Sequence, residues 1–448
     1  MNYNLPKDCF RVGYARQCIT PTEPVPLGGY GNVLTRYCDS VLIDIYTTCI
    51  AFTDEEDNTV LLFHNDLGGS GEELSVPIRK AVSKATGIPQ THILIAATHS
   101  HSAPAYTAPV PEAARYIEYL KAKMVAAAME ALADRKKAEM FLSKIDTQGL
   151  NFVRHYVLED GSFKGDNFGD LNTSPYAGHT TQADPEMRVV KFAREGGKDV
   201  LLVNWQSHPH RTGGSRKYYV SSDIIGVMRN DLEATADCHF IYFTGGAGNI
   251  NPTSRIKSEN ITKDYIEQGK ALSMYARRAC MEMTPAKTGK IRLCERLHHE
   301  PVARPDDSKL EHAMEVRALW EKTNDFRTCV ALANQYGINS PYAACALIGH
   351  YNFPAETLMM PMYAFTIGDV GFVTAPYEMF DTNAKQIRDG SPFPMTIVAS
   401  CANDANSYVP SAYGYQHGCY EADQTFFAPG TGEKFAQIYV DMLKEIYE

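Results

Sequence analysis

His99 and His101 stand two residues apart in Ala-Thr-His-Ser-His-Ser-Ala-Pro, directly after the apolar run Ile93-Leu94-Ile95-Ala96-Ala97. In extended backbone, side chains at i and i+2 project to the same side, so both imidazoles leave the end of a buried strand together. Similar arrangements follow. A run over 200–205 empties into His208-Pro209-His210, and one over 371–374 is followed by Glu378. Two neutral imidazoles and a carboxylate, with a position left open, form the donor set of a catalytic zinc. Zinc lowers the pKa of bound water to about 7, which makes hydroxide available at neutral pH. His99, His208 and Glu378 are widely dispersed in the chain, whereas structural zinc sites draw on closely spaced Cys and His. Each residue taken singly has a plainer explanation. His208-Pro209-His210 could be a loop with solvent-facing imidazoles, and Glu378 a charge at a helix N-terminus.

The elements that must position these residues alternate between strand and helix. Apolar runs over 41–52, 60–63, 93–97, 187–192, 200–205, 240–244, 362–367, 371–374 and 396–401 read as strands. Helical periodicity appears over 73–86, with Gly87 as its stop, and over 111–134, 223–236, 262–283, 306–337 and from Thr431 to the C-terminus. Pro21, Pro24 and Pro26 with Gly28-Gly29-Tyr30-Gly31 imply a tight loop before the first long strand. The expected fold class is α/β, a mixed β-sheet core flanked by helices. With no internal repeat or flexible linker, residues 1–448 are expected to form a single domain.

Six polar clusters end apolar strands: His64/Asn65/Asp66, His99/His101, His208/His210, Gly245–Asn249, Glu378 and Asn403/Asp404. In α/β folds, ligands bind at the C-terminal ends of strands, so the six are expected to line one cleft. Gly245-Gly246-Ala247-Gly248-Asn249 lacks the Gly-Lys-Ser/Thr of a phosphate loop. Its glycines would instead let backbone N–H groups approach a developing oxyanion. The absence of a Gly-X-Ser-X-Gly elbow argues against a serine hydrolase of that type.

The bulk properties exclude other classes. Net charge is −10 with no Lys/Arg block, which argues against nucleic acid or an anionic membrane as partner. No apolar run approaches the roughly 20 residues of a membrane span. Residues 1–15 lack a signal-peptide pattern, and 11 cysteines without Cys-X-X-Cys spacing read as reduced thiols. The expectation is a cytoplasmic enzyme acting on a small molecule, its oligomeric state open.

Taken together, these motifs resemble the catalytic domain of the neutral, non-lysosomal ceramidases. The match runs in order through GYARQCITPTEPVPLGGYG, ATHSHSAP, NFVRHY, ADPE, NWQSHPH, APYEMF, NDANSYVPS and HGCYEADQTFFAPGTGEKF. The resemblance implies that His99, His208, Glu378 and Tyr408 hold Zn2+, that His101 lies beside the metal and that Arg154 faces the substrate's oxyanion or head group. Asn251 falls where the family carries a serine needed for activity, in Gly-Asn-Ile-Asn-Pro against the family's Gly-Asp-Val-Ser-Pro. The match leaves no residues for the family's immunoglobulin-like C-terminal domain, so the catalytic domain alone is expected.

The expected catalytic positions are therefore His101, Arg154 and Asn251, and the expected substrate contacts Asp66, Gly246, Gly248, Asn249 and His210. The expected activity is zinc-dependent hydrolysis of an amide, or an ester, in a small polar N-acyl compound rather than ceramide. The alternatives are a metal-binding homologue without catalysis, and a hydrolase of a sugar or phosphate ester.

Overall fold

The computed structural model describes residues 8–447 apart from 31–32, 167–170, 324 and 405–406. Gly31 of the N-terminal loop, residues 1–7, and Ala405 and Asn406 of the NDANSYVPS segment lie outside the described residues.

Two sheets pack face to face. The larger has nine strands, in the order Cys238–Thr244, Asp199–Trp205, Glu186–Arg194, Lys136–Asp146, Arg11–Cys18, Tyr46–Thr53, Thr59–Asn65, Ile93–Ala97, with Thr284–Ala286 added beside Lys136–Asp146. The smaller has four: Leu293–Pro301, Thr357–Ile367, Val370–Thr374 and Met395–Ala399. Phe52, Leu62, Phe192, Leu202 and Phe243 of the first interleave with Phe365, Phe372 and Ile397 of the second in one buried cluster. Helices cover the outer faces. Glu72–Thr86 and Pro111–Ala133 lie over one half of the large sheet, Asp223–Thr235 and Tyr265–Met281 over the other, and Asp381–Gly390 and Thr431–Tyr447 over the small one. Because strands such as Ile93–Ala97 are buried on both faces, they read as unbroken apolar runs instead of alternating ones.

Within these two sheets most strand pairs are antiparallel, but three are parallel, and these position the site. They are Thr59–Asn65 with Ile93–Ala97, Asp199–Trp205 with Cys238–Thr244, and Val370–Thr374 with Met395–Ala399. Each pair is joined by a crossover helix, so all six C-terminal strand ends point the same way within their pairs. Hydrogen bonds knit these ends together across the sheets: Ser400 N donates to Thr244 O at 2.9 Å, and Asn403 N to Ile95 O at 2.6 Å.

The sequence reading differs from the structure in two stretches, and it omits the sheet strands Arg11–Cys18, Lys136–Asp146 and Leu293–Pro301. The run over 41–52 is broken: Ser40–Val41 pairs with Tyr219–Val220, and the chain turns before Tyr46 joins Cys18 in the large sheet. The helical stretch expected over 306–337 is instead Leu310–Thr323 and Phe326–Gln335, joined by Pro341–Tyr351 around a small core of Ala313, Val316, Ala333 and Ala344. The region 147–187 contains short strands, among them Phe152–Val153 and His155–Leu158. All eleven cysteines are unpaired. Among the described residues, no helix is long and apolar enough to cross a membrane.

Candidate functional site

His99 lies two residues beyond its strand, with φ of +69°, in the left-handed region that residues with a Cβ seldom occupy. That turn drops its ring back so that Nδ1 donates to the Gly68 carbonyl at 2.7 Å. His208 is anchored in the same manner, its Nδ1 at 2.7 Å from Ala247 O and 3.1 Å from Ile250 O. A carbonyl can only accept, so in both rings Nδ1 carries a hydrogen, and Nε2 has its lone pair free whenever the ring is neutral. Both Nε2 atoms then converge on one carboxylate oxygen, Glu378 Oε2, each at 3.2 Å. His101 Nε2 completes the group at 3.3 Å from His99 Nε2.

Lone pairs of two imidazoles aimed at a carboxylate oxygen repel unless positive charge lies between them. The electrostatics agree. Burial alone would push His99 down and Glu378 up, yet each outweighs that effect in the other: His99 is raised well above its ordinary pKa and Glu378 held well below. A proton can serve that need, and so can a divalent cation. Donors around 2.0–2.1 Å from a tetrahedral metal are about 3.3 Å apart, which the observed separations match. The residues fit a metal. His208 is 1% exposed while His99 and Glu378 keep 14% and 17%, so the cluster opens on the His99–Glu378 side.

Tyr408 reaches the group through backbone pairing. Glu378–Met379 and Tyr408–Val409 form a two-residue parallel bridge with Glu378 opposite Tyr408. Burial, reinforced by Glu378 and opposed by Arg154, drives the Tyr408 phenol well above its usual pKa. Arg154 lies 5.5 Å from the Tyr408 ring and is buried. Its Nε donates to Glu421 Oε1 at 2.5 Å and its Nη2 to Gly248 O at 2.8 Å, while His155 holds the other oxygen of Glu421 at 2.9 Å. Arg154 is thus clamped beside Tyr408, its Nε and Nη2 committed to protein acceptors.

The N-terminal loop closes over the imidazoles. Gly29 has φ of +98°, and a Cβ there would lie 2.6 Å from His101, so glycine is required. Tyr30 sets its ring edge on His101 at 5.1 Å and donates its hydroxyl to His210 O at 3.0 Å. Arg36 Nη2 donates to His101 O at 2.8 Å. His101 Nδ1 is buried without a partner, and burial together with the neighbouring His99, His210 and His208 holds this ring well below its ordinary pKa.

Of the six strand-end clusters, four meet here and two do not. His64 is buried against Tyr242 and Phe243, its pKa pushed down to about 3 by burial and then by Arg229. Asp66, expected as a substrate contact, is 1% exposed, and its Oδ2 takes Arg229 Nη1 at 2.6 Å and Tyr46 N at 3.0 Å. It is spent on holding the sheet. Asn403 likewise ties strands, accepting from Ile95 N at 2.9 Å and donating to Thr374 Oγ1 at 2.8 Å.

The glycine-rich loop joins the site in a different capacity from the expected one. It turns carbonyls inward, Ala247 O to His208 and Gly248 O to Arg154. The Gly248 N–H is committed to Met379 O at 2.8 Å and cannot serve an oxyanion. Gly248 is needed because a Cβ would lie 2.7 Å from Glu378 O, and Gly246 because one would lie 2.7 Å from Ala384. The Asn249 side chain is occupied by Asp381, donating at 2.9 Å and accepting at 3.0 Å. Asn251 Oδ1 is 3.0 Å from His210 Nε2, and the His210 ring lies 5.4 Å from that of His101.

Glu421, His155, Tyr30 and Arg36 were not among the residues expected from sequence. A signal existed for Glu421, in the Tyr-Glu-Ala of HGCYEADQTFF, but nothing local marks an acid whose partners lie 267 and 266 residues earlier.

No protein-family model and no curated protein matches the chain. Solved structures do. The neutral ceramidase of Pseudomonas aeruginosa superposes with a TM-score of 0.73 at 16% identity, covering 98% of this chain and 74% of that one. A ceramidase complexed with C2 gives 0.71 at 16% identity, over 97% and 75% of the two chains. Over nearly its whole described length, this chain has the neutral-ceramidase fold.

Proposed function

We propose that the protein is a zinc-dependent hydrolase that cleaves an amide, or an ester, in a small polar N-acyl compound. The observation carrying this reading is the convergence of His99 and His208 Nε2 on Glu378 Oε2 at 3.2 Å, with both Nδ1 protons committed to carbonyls. His99, His208, Glu378 and Tyr408 would hold the zinc. Bound there, zinc supplies a water acidic enough to act as nucleophile and polarises the carbonyl to be attacked. Arg154 lies against the Tyr408 ring and, as a fixed cation, favours the phenolate that a ligand role requires. Glu421 and His155 keep that guanidinium in place. His101, whose Nε2 lies 3.3 Å from His99 Nε2 and whose burial favours the neutral ring, would be the base that takes a proton from the attacking water. Tyr30, Arg36 and Gly29 hold its ring and exclude solvent from one side.

The reading is tested by elemental analysis of the purified protein and of His99→Ala, alongside a panel of amides, esters, sugar conjugates and phosphate esters. About one zinc in the parent, little in the variant, and amide turnover lost on chelation is the expected result. A parent with no zinc, even after its addition, sinks the reading. Stoichiometric zinc without turnover on any panel member would favour a metal-binding homologue without catalysis, and turnover confined to sugar or phosphate esters the other alternative.

A further inference from the structure

Asn251 is held at both ends of its amide. On one side is Asp166, whose Oδ1 takes Arg255 Nε at 2.7 Å. A carboxylate ion-paired in this way can only accept hydrogen bonds. The Asn251 atom facing Asp166 Oδ2 at 2.7 Å is therefore its NH2 group, Nδ2, which settles the orientation of the amide. Its other end, Oδ1, consequently faces His210 Nε2 at 3.0 Å. Because a carbonyl oxygen cannot donate, the hydrogen between them belongs to His210 Nε2. The His210 ring makes no ion pair among the described residues, and the imidazoles of His101 and His208 lie beside it at 5.4 and 5.7 Å.

We propose that Asn251 is a positioning residue: anchored by Asp166, it fixes His210 as the Nε2–H tautomer and leaves Nδ1 as a lone-pair acceptor beside the metal donors. Apart from its own backbone, the His210 ring has Asn251 as its hydrogen-bond partner among the described residues. His210 thereby selects a substrate that offers an N–H or O–H donor next to its scissile carbonyl, and rejects one offering only acceptors there. A serine at position 251 could not do this, because a hydroxyl donates or accepts as its neighbour requires. The departure from the family serine thus changes what the position does, since Asn251 has no free group to attack a carbonyl and acts through His210. The choice of substrate rests on the hydrolase reading, whereas the hydrogen-bond chain stands independently of it.

The test is a two-bond 1H–15N correlation spectrum of full-length protein carrying 15N-histidine, at neutral pH, with His210 assigned by loss of its signals in His210→Gln. The parent is expected to show a protonated Nε2 and a pyridine-like Nδ1. Asp166→Asn, which lets the amide at 251 reverse, and Asn251→Ser are expected to give averaged or inverted patterns. A parent His210 protonated on Nδ1, or on both nitrogens, overturns the proposal, as does a pattern unchanged in both variants. If either variant fails to fold, the parent spectrum still decides. Zinc content of the same samples separates the two readings: a parent without metal defeats the hydrolase, while the His210 pattern continues to judge the role of Asn251.

Discussion

Glu378 and Tyr408 are direct partners in a parallel two-residue bridge, with Glu378 N donating to Ser407 O at 2.9 Å. Backbone hydrogen bonding, not side-chain contact, therefore brings this carboxylate and this phenol side by side. The Tyr408→Phe change leaves that pairing intact and removes only the hydroxyl. We expect zinc affinity to fall about tenfold or more, measured by competition with a chromogenic chelator, while His99→Ala abolishes stoichiometric binding. His101→Ala should keep the metal and lose turnover. If His101→Ala instead loses zinc as fully as His99→Ala, and Tyr408→Phe does not, the three imidazoles of His99, His101 and His208 are the holding set, a group whose ring nitrogens lie within 4.8 Å of one another.

Glu421 is fully buried between Arg154 and His155, and Arg154 is buried with it. Removing one member of a buried ion pair leaves the other charge uncompensated, which costs about 3–5 kcal/mol. The Glu421→Gln variant should show that loss in urea unfolding. Its residual folded fraction should also turn over more slowly, because Arg154 is no longer held against Tyr408. Wild-type stability in this variant would mean that Arg154 finds another acceptor.

Asp66 and Arg229 form a second buried pair, at 2.6 Å. Asp66→Asn is expected to destabilise by several kcal/mol for the same reason. Unlike the changes at the site, it should leave zinc stoichiometry unaltered in the protein that folds. A selective loss of metal without loss of stability would return Asp66 to the site.

The carboxyl of Asp423 is raised by burial to about 6, an effect the Asn339 amide only partly offsets. For an acid raised on folding, the stability it permits is present below its unfolded value near 3.8 and is lost as pH climbs through 6. A difference of that size corresponds to roughly 2–3 kcal/mol. Asp423→Asn should therefore be more stable than the parent at pH 7, with the gap closing toward pH 4, when both are followed by urea unfolding across that range. A gap independent of pH would place the effect in packing instead.

Part of this protein is written locally in the chain. Strands such as Ile93–Ala97 read as apolar runs because both of their faces are buried, whereas Lys136–Asp146 and Leu293–Pro301, with exposed polar residues along their length, do not. The helices declared themselves by period and by stops such as Gly87, which takes φ of +79° and donates back to Ser83 O. That His99, His208 and Glu378 would share a cleft followed from each standing at the C-terminal end of a strand, a position that α/β topology gathers.

What tertiary structure alone decided is which strand-end residues face inward, and with which atom. Sequence could not separate His64 from His99, since both close an apolar strand; a left-handed turn at His99 swings its ring to Gly68, whereas His64 is still within its strand and points into the core. Nor could it show that the Gly-rich loop presents carbonyls, because the direction of a backbone group depends on the partner waiting for it, here Met379 O for the Gly248 N–H. The roles of Glu421 and Asn251 were equally hidden. Each is defined by hydrogen bonds to residues distant in the chain, and the orientation of an amide or a tautomer follows from the whole closed network, which exists only once the sheets have packed.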